Sequence, residues 1–326
     1  NNPGLLKIPC VEKHENIGKP KLLITTPLHF LSDVKQDLIE RFDCTFATDI
    51  APDDLPRLVS NMDGWICNPC PDYIINESIL DEASNLKVIA TTSTGSNHID
   101  KVWCGQRGIE VLSLRGTNLL DSIRASSEFT FNLLLSTVRR MPYAFLSARA
   151  GRWREVEDQL RGVELSGRTL GVIGYGRIGS NNARYANAFG MKITAFDPYV
   201  EIKDAYVEQV GSFQEVLKQA DVLLICVHLD ESTRNMVSAS WFSMMKDGVY
   251  FINTSRGEVV DEEALLDNLR NGKVTAAAVD VITDEFLSDK TNHPIIKYAR
   301  ENDNLIVTPH IAGLTYDSER KAAQIT

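Results

Sequence analysis

The sequence predicts an α/β protein of two doubly wound domains, each a parallel sheet covered on both faces. Three observations carry this. Short apolar, β-branched runs alternate with helical patterns from Lys21 to about residue 112, the arrangement in which every crossover lays a helix on a sheet face. The alternation gives way to one long helical stretch and resumes from Thr169 to residue 307. At the head of that second half, Thr169 to Asp197 reads strand, glycines, helix, strand, acid.

That last stretch organises the rest. Thr169 to Ile173 has strand length and β-branched content. Glycines stand at 174, 176 and 179, followed by a helical pattern with Ala183, Ala186 and Phe189 on one face, closed by Gly190. A second apolar run, Ile193 to Phe196, ends on Asp197. Gly174 lets the chain turn out of the strand, Gly176 lets a pyrophosphate approach the backbone, and Gly179 lets the helix pack against the strand. The free amides and positive end of that helix then hold the phosphates. Asp197 lies 18 residues beyond Gly179, close to the ~20 expected of a carboxylate that accepts from a ribose 2′-hydroxyl. A 2′-phosphate would be repelled there, so the stretch predicts NAD rather than NADP.

Ahead of it, strands are expected at 21–25, 43–47, 64–67, 87–90 and 109–112, with helices at 32–42 and near 53–60, 76–84 and 99–107. These make a small domain of about a hundred residues. Residues 1–20 read as a loose polar lead-in. From about Leu119 to Arg149 the chain reads as one long helical segment, kinked or divided at Pro142. After Asp197, strands at 221–227, 248–252, 274–280 and 304–307 bring the second sheet to six, with helices near 212–219, 239–245 and 261–271. A last helix from about Asp317 crosses back to the first domain, so the first domain is discontinuous.

Composition excludes several classes. The chain has 326 residues, 43% hydrophobic and 24% charged, with a net charge of −10 and no basic block, which disfavours nucleic-acid and acidic-membrane partners. No apolar run approaches the ~18 residues of a spanning helix, and the first residues lack a signal-peptide core. The six scattered cysteines fit reduced thiols in a cytoplasm. Cys67 and Cys70 form a C-x-x-C, but no second pair exists for zinc and Pro69 and Pro71 break the helix a redox motif needs. They read as two loop cysteines, and no metal is expected.

In open parallel sheets ligands bind beyond the carboxyl ends of strands, so polar residues just after strands are the candidates. Arg256 follows one strand and can grip a carboxylate with two parallel hydrogen bonds. His310 follows another and can exchange a proton with a carbonyl oxygen. Glu285 follows the strand ending at Asp280, and a carboxylate beside a histidine fixes its ring orientation and favours its protonated form. Asp280 itself could meet the nicotinamide amide. The other histidines, at 14, 29, 98, 228 and 293, take the default reading of core or loop residues, although His228 also follows a strand. Together these groups describe hydride transfer to a 2-oxo acid.

These residues carry a family resemblance. Through 93–100, 125–141, 172–179, 253–265, 276–285 and 308–313 the sequence resembles the D-isomer-specific 2-hydroxyacid dehydrogenases, and the spacing of Arg256, Asp280, Glu285 and His310 is that family's own. The resemblance implies a flavodoxin-like substrate domain over 1–117 and 312–326 and a Rossmann NAD-binding domain over 118–311. It implies Arg256 on the substrate carboxylate and carbonyl, His310 as acid/base and Glu285 as its partner. Gly174, Gly176, Arg177, Ile178, Gly179, Asp197, Val227, His228, Thr233, Thr254 and Asp280 would line the NAD site. Thr94 and Gly95 would offer backbone amides to the substrate carboxylate. A small 2-oxo or 2-hydroxy acid is the implied partner, and a homodimer with the segment after Leu119 in its interface is the implied assembly. His228 stands where many members have proline. The loop 68–73 lacks the basic residue that phosphoglycerate dehydrogenases tend to place there, so a phosphorylated substrate is not favoured. A different reading from the same fold is an NAD(H)-sensing protein that recruits partners, as corepressors resembling this family do.

Overall fold

The computed structural model describes residues 10–285 and 289–326, and the chain divides into two compact units, Asn1–Ile123 with Thr315–Thr326, and Arg124–Leu314. In the first unit the elements run β1 (Cys10–His14), β2 (Lys21–Ile24), α1 (Ser32–Arg41), β3 (Asp43–Thr48), α2 (Leu55–Val59), β4 (Gly64–Cys67), α3 (Glu77–Leu80), β5 (Val88–Thr91), α4 (Lys101–Gln106) and β6 (Glu110–Leu112). The sheet order is β1-β3-β2-β4-β5-β6, parallel except for β1. Without β1 it is the 2-1-3-4-5 order of flavodoxin-like sheets. Leu23, Trp65 and Ile89 pack on one face with Leu55, Leu80 and Cys104 from α2, α3 and α4, and Leu22, Ile24 and Phe46 pack on the other with Val34 and Leu38 of α1.

The polar lead-in proves partly structured. Cys10–His14 pairs antiparallel with β3, from Cys10 opposite Thr48 to His14 opposite Cys44. Residues 1–9 of that lead-in lie outside the described residues.

The second unit opens with α5 (Ala125–Val138), α6 (Met141–Arg149) and α7 (Glu157–Leu160). The long helical segment is divided, as a proline within it demands, but the break sits just ahead of Pro142. Arg140 takes a left-handed conformation, φ 52°, and Pro142 lies in the first turn of α6, where its missing N–H has no helical partner to lose. There follow β7 (Thr169–Ile173), α8 (Arg177–Ala188), β8 (Lys192–Phe196), β9 (Val207–Gln209), α9 (Phe213–Gln219), β10 (Val222–Ile225), α10 (Ala239–Met244), β11 (Val249–Asn253), α11 (Glu262–Arg270), β12 (Val274–Val279), α12 (Pro294–Glu301) and β13 (Leu305–Val307). The last helix, α13 (Tyr316–Ile325), belongs to the first unit.

Among the described residues this second sheet has seven strands, not six, in the order β13-β12-β11-β10-β7-β8-β9, all parallel. The extra strand is β9, three residues at the edge. The order reverses between β7 and β10, the switch point at which doubly wound sheets hold dinucleotides. One face packs Leu170, Val172, Leu224 and Ile252 against Phe131 and Leu134 of α5 and Ala183 of α8; the other packs Leu223, Ile225 and Phe251 under α9 to α12. Burial on both faces explains why these strands read as continuous apolar runs. Among the described residues no helix is long and apolar enough to cross a membrane.

Register then places the chemistry. Phe196, Ile173, Ile225, Asn253, Val279 and Val307 align across the sheet. The next residue on each strand is therefore Asp197, Gly174, Cys226, Thr254, Asp280 or Thr308, one row along the carboxyl edge.

Candidate active site

At the switch point Gly174 has φ 90°, and a Cβ there would lie 2.5 Å from the carbonyl oxygen of Cys226 on the loop after β10. A Cβ on Gly179 would lie 2.2 Å from the carbonyl oxygen of Gly174. Both glycines are thus required by the protein's own backbone. Gly176 is different. It is exposed, and a Cβ there would meet no protein atom within 4 Å. It stands at the N-cap of α8 with no side-chain cap, so the opening turn, with Arg177 and Ile178 half-buried behind it, has bare backbone to offer a phosphate. The cradle fits the pyrophosphate of a dinucleotide.

Asp197 borders the cradle. Its Oδ2 accepts from the amide of Tyr175 and its Oδ1 from that of Tyr199, each at 2.8 Å. A carboxylate has about four acceptor sites, so these bonds fix its orientation and leave capacity for ribose hydroxyls. Tyr175 also donates its hydroxyl to Asp204 Oδ2 at 2.8 Å, tying the glycine loop to the loop after β8. Across the switch point Val227 is half-buried and His228 exposed. Thr233 shapes their loop, donating to the His228 carbonyl at 2.6 Å and accepting from the Asp230 amide at 2.8 Å. Thr254 exchanges a hydrogen bond with Thr130 of α5 at 2.7 Å.

Arg256, Asp280, Glu285 and His310 follow the ends of β11, β12 and β13. His310 Nδ1 lies 2.7 Å from Glu285 Oε2, with 28% and 25% of the two side chains exposed. Glu285 is aimed by the Ile282 amide, which donates to its Oε1 at 3.0 Å. His310 (φ 55°) and Asp284, next to Glu285 (φ 54°), both take left-handed backbone, a conformation that costs non-glycine residues energy and persists where the surroundings impose it. Asp280 is one such constraint. It is 1% exposed. Its Oδ1 accepts from Thr308 Oγ1 at 2.5 Å and the Ile311 amide at 3.0 Å, and its Oδ2 from the Ala312 amide at 2.8 Å. Burial raises its carboxyl above the ordinary range, against the pull of these donors and of His310. Asp280 therefore staples the loop that carries the imidazole.

Arg256 is half-buried and donates from Nη1 to the Ser255 carbonyl at 2.6 Å. Its neighbour Gly257 fixes the loop. A Cβ there would fall 2.0 Å from the carbonyl carbon of Ile282 and 2.4 Å from the nitrogen of Thr283. The loops bearing Arg256 and Glu285 thus touch backbone to backbone, which only glycine allows.

Thr94 and Gly95 stand in the first unit, half-buried after β5, where Ser93 Oγ donates to the Gly95 carbonyl at 2.5 Å. Cys67 is not in a loop: it ends β4, fully buried, 3.6 Å from His98 Nε2, whereas Cys70 is exposed. Burial pushes the Cys67 and Cys226 thiols up to about 12, so both stay protonated at neutral pH. Sequence reasoning missed Glu262, Thr283 and the part played by His293, which cluster behind Glu285. The signal available was slight: a histidine capping a helix whose first residue is proline.

Known proteins share this architecture. The model of the NAD-binding domain of D-isomer-specific 2-hydroxyacid dehydrogenases matches residues 131–312. A hydroxypyruvate reductase from Thermotoga maritima is 35% identical over 82% of this chain and 84% of its own. A D-3-phosphoglycerate dehydrogenase from Methanocaldococcus jannaschii is 32% identical over 94% of this chain and 56% of its own. The solved D-lactate dehydrogenase from Aquifex aeolicus, complexed with NAD and lactic acid, superposes with a TM-score of 0.73 at 28% identity over 93% of this chain and 92% of that one. The chain belongs to the D-isomer-specific 2-hydroxyacid dehydrogenase family and is an NAD-dependent oxidoreductase acting on CH–OH groups.

Proposed function

We propose that this protein interconverts a short, unphosphorylated D-2-hydroxy acid and its 2-oxo acid, with His310 as acid/base, Glu285 orienting it and Arg256 holding the substrate carboxylate. The contact of 2.7 Å between His310 Nδ1 and Glu285 Oε2 carries the reading. An ionised Glu285 only accepts, so Nδ1 bears the proton of that bond and Nε2 is left to serve the substrate. In reduction, bound NADH supplies the hydride to C2. The protonated imidazole gives its Nε2 proton to the carbonyl oxygen as that oxygen gains charge, and in oxidation it takes the proton back. Arg256 grips the carboxylate and polarises the adjacent carbonyl through charge-assisted bonds. Asp197 selects NAD by accepting from the ribose.

The relatives act on different acids by name, and the loop 68–73 of this chain favours the smaller ones: it holds Asp72 and no lysine or arginine, so nothing in it would neutralise a phosphate. A homodimer is part of the same reading. Met141, Phe145 and Leu146 of α6 are each more than half exposed, and nearby Trp153 is 70% exposed, an apolar surface of the kind that partners cover. Sedimentation would show a particle of twice the chain mass.

The test is NADH oxidation with glyoxylate, hydroxypyruvate, pyruvate, 2-oxoglutarate and phosphohydroxypyruvate, followed by NAD reduction with D-glycerate and L-glycerate, the two possible products of hydroxypyruvate. Turnover of glyoxylate or hydroxypyruvate well above phosphohydroxypyruvate, with D-glycerate oxidised in preference to L-glycerate, is expected. Preference for the phosphorylated acid would overturn the substrate class, and no turnover of any would overturn the reaction.

A further inference from the structure

Two residues before Glu285, Thr283 joins a further group of polar side chains. Glu262, the first residue of α11, has 14% of its side chain exposed, and His293, the N-cap of α12, has 6%. Both converge on Thr283. The Thr283 amide donates to Glu262 Oε1 at 2.7 Å and its hydroxyl to Oε2 at 2.8 Å. His293 Nε2 lies 3.3 Å from the same hydroxyl oxygen and 3.5 Å from Glu262 Oε2.

The direction of every bond follows. The Ile295 amide donates to His293 Nδ1 at 3.3 Å, so Nδ1 carries no proton and Nε2 does. Nε2–H then points at the Thr283 oxygen, whose own proton is committed to Glu262. The chain runs from amide to imidazole to hydroxyl to carboxylate without a conflict, so it holds Thr283 in one orientation.

Thr283 matters because of its neighbours. The Ile282 amide aims Glu285 at His310. The peptide joining Ile282 to Thr283 is the surface against which Gly257, next to Arg256, abuts. Two successive peptides that share Ile282 therefore set the acid–base pair, through the Ile282 amide, and the arginine loop, through the Ile282 carbonyl.

We infer that Glu262, Thr283 and His293 are positioning residues for the reaction, fixing the Ile282–Thr283 backbone, whose Ile282 amide aims Glu285 and whose 282–283 peptide seats the Arg256 loop. This rests on the acid–base reading of His310 and Glu285. Displacement of reacting groups by an ångström or less costs one to two powers of ten in rate, so the network acts on turnover rather than on cofactor binding.

The experiment compares Thr283→Val, which keeps shape and loses the hydroxyl, with Thr283→Ser, which keeps it, alongside Glu262→Gln and Glu285→Gln. For each, kcat with NADH and the better of glyoxylate and hydroxypyruvate, the KM of that acid, the Kd of NADH by fluorescence and Tm are measured. Thr283→Val and Glu262→Gln should lower kcat about ten- to thirty-fold with the KM and Kd within about two-fold, and Thr283→Ser should return kcat to within about three-fold. If Thr283→Val leaves kcat unchanged while Glu285→Gln lowers it, the positioning role is wrong and the acid–base reading stands. If Glu285→Gln is itself as active as the parent, the acid–base reading falls, and this inference with it. A loss in Thr283→Val that Thr283→Ser does not restore also overturns the inference. Thr283→Val decides the matter even if Glu262→Gln fails to fold.

Discussion

The cofactor cradle and the acid–base cluster occupy the same edge of the same sheet and are built on opposite terms. The cradle works by absence: Gly174 and Gly179 clear backbone from backbone, and Gly176 leaves open space with no protein atom within 4 Å of where a Cβ would stand. The cluster works by capture: Asp280 and Glu262 accept amides from neighbouring loops and Glu285 accepts one from its own. Two aspartates in the same register show the difference. Asp197 accepts two local amides and keeps capacity for a ligand. Asp280 is buried with both oxygens on the 308–312 loop. A strand-end acid keeps acceptor capacity in one region and is held by three donors in the other.

Mutations break this contrast in graded ways. The largest effect belongs to Arg256→Ala, which should lower kcat/KM about a thousand-fold, with Arg256→Lys recovering only part because a lysine offers no bidentate fork. Gly257→Ala comes next. Its Cβ would overlap the 282–283 peptide, so turnover should drop about a hundred-fold and stability by about 2 kcal/mol or more, read by denaturant melts. Gly176→Ala is the sharper probe of the cradle. With no protein atom near its Cβ, stability should stay within about 0.5 kcal/mol while NADH binds about ten-fold more weakly. Loss of stability there would mean that the position is structural, like Gly179. Asp197→Ala should weaken NADH several-fold and narrow its advantage over NADPH; titrations with both cofactors decide.

The smallest effect lies at the opposite end of the sheet. Burial opposes ionisation of Asp221, but the Lys246 ammonium and the Thr169 amide outweigh it and hold its carboxyl below the usual range. Its contribution is therefore present above the unfolded-state value, about pH 4, and fades as pH falls through the lower folded value. Asp221→Asn should cost about 1 kcal/mol at pH 7 and less in acid, with activity unchanged.

The same contrast explains what the sequence disclosed. The cradle is contiguous, so the sequence located β7 residue for residue and β8 to within one, with the helix α8 between them. The strands of both sheets were legible because burial on two faces leaves unbroken apolar runs. Elements that depend on a distant partner were not. β1 is a polar segment made a strand by β3, β9 has three residues at an edge, and α12 begins at a histidine–proline pair that reads as a loop. Glu262, Thr283 and His293 are separated by up to 31 residues, and no local pattern announces that they meet. Arg256, Glu285 and His310 are legible because each follows a strand and has the chemistry that hydride transfer to a 2-oxo acid needs, and the resemblance implies the same roles.

The most direct test of the account is single-turnover hydride transfer by His310→Gln, followed by loss of NADH absorbance after mixing with the preferred oxo acid. NADH affinity should remain within about two-fold of the parent while transfer slows by about a thousand-fold or more, because the cradle is intact and the proton donor is gone. Transfer within about ten-fold of the parent, at full NADH occupancy, would contradict the assignment of the imidazole as the acid/base.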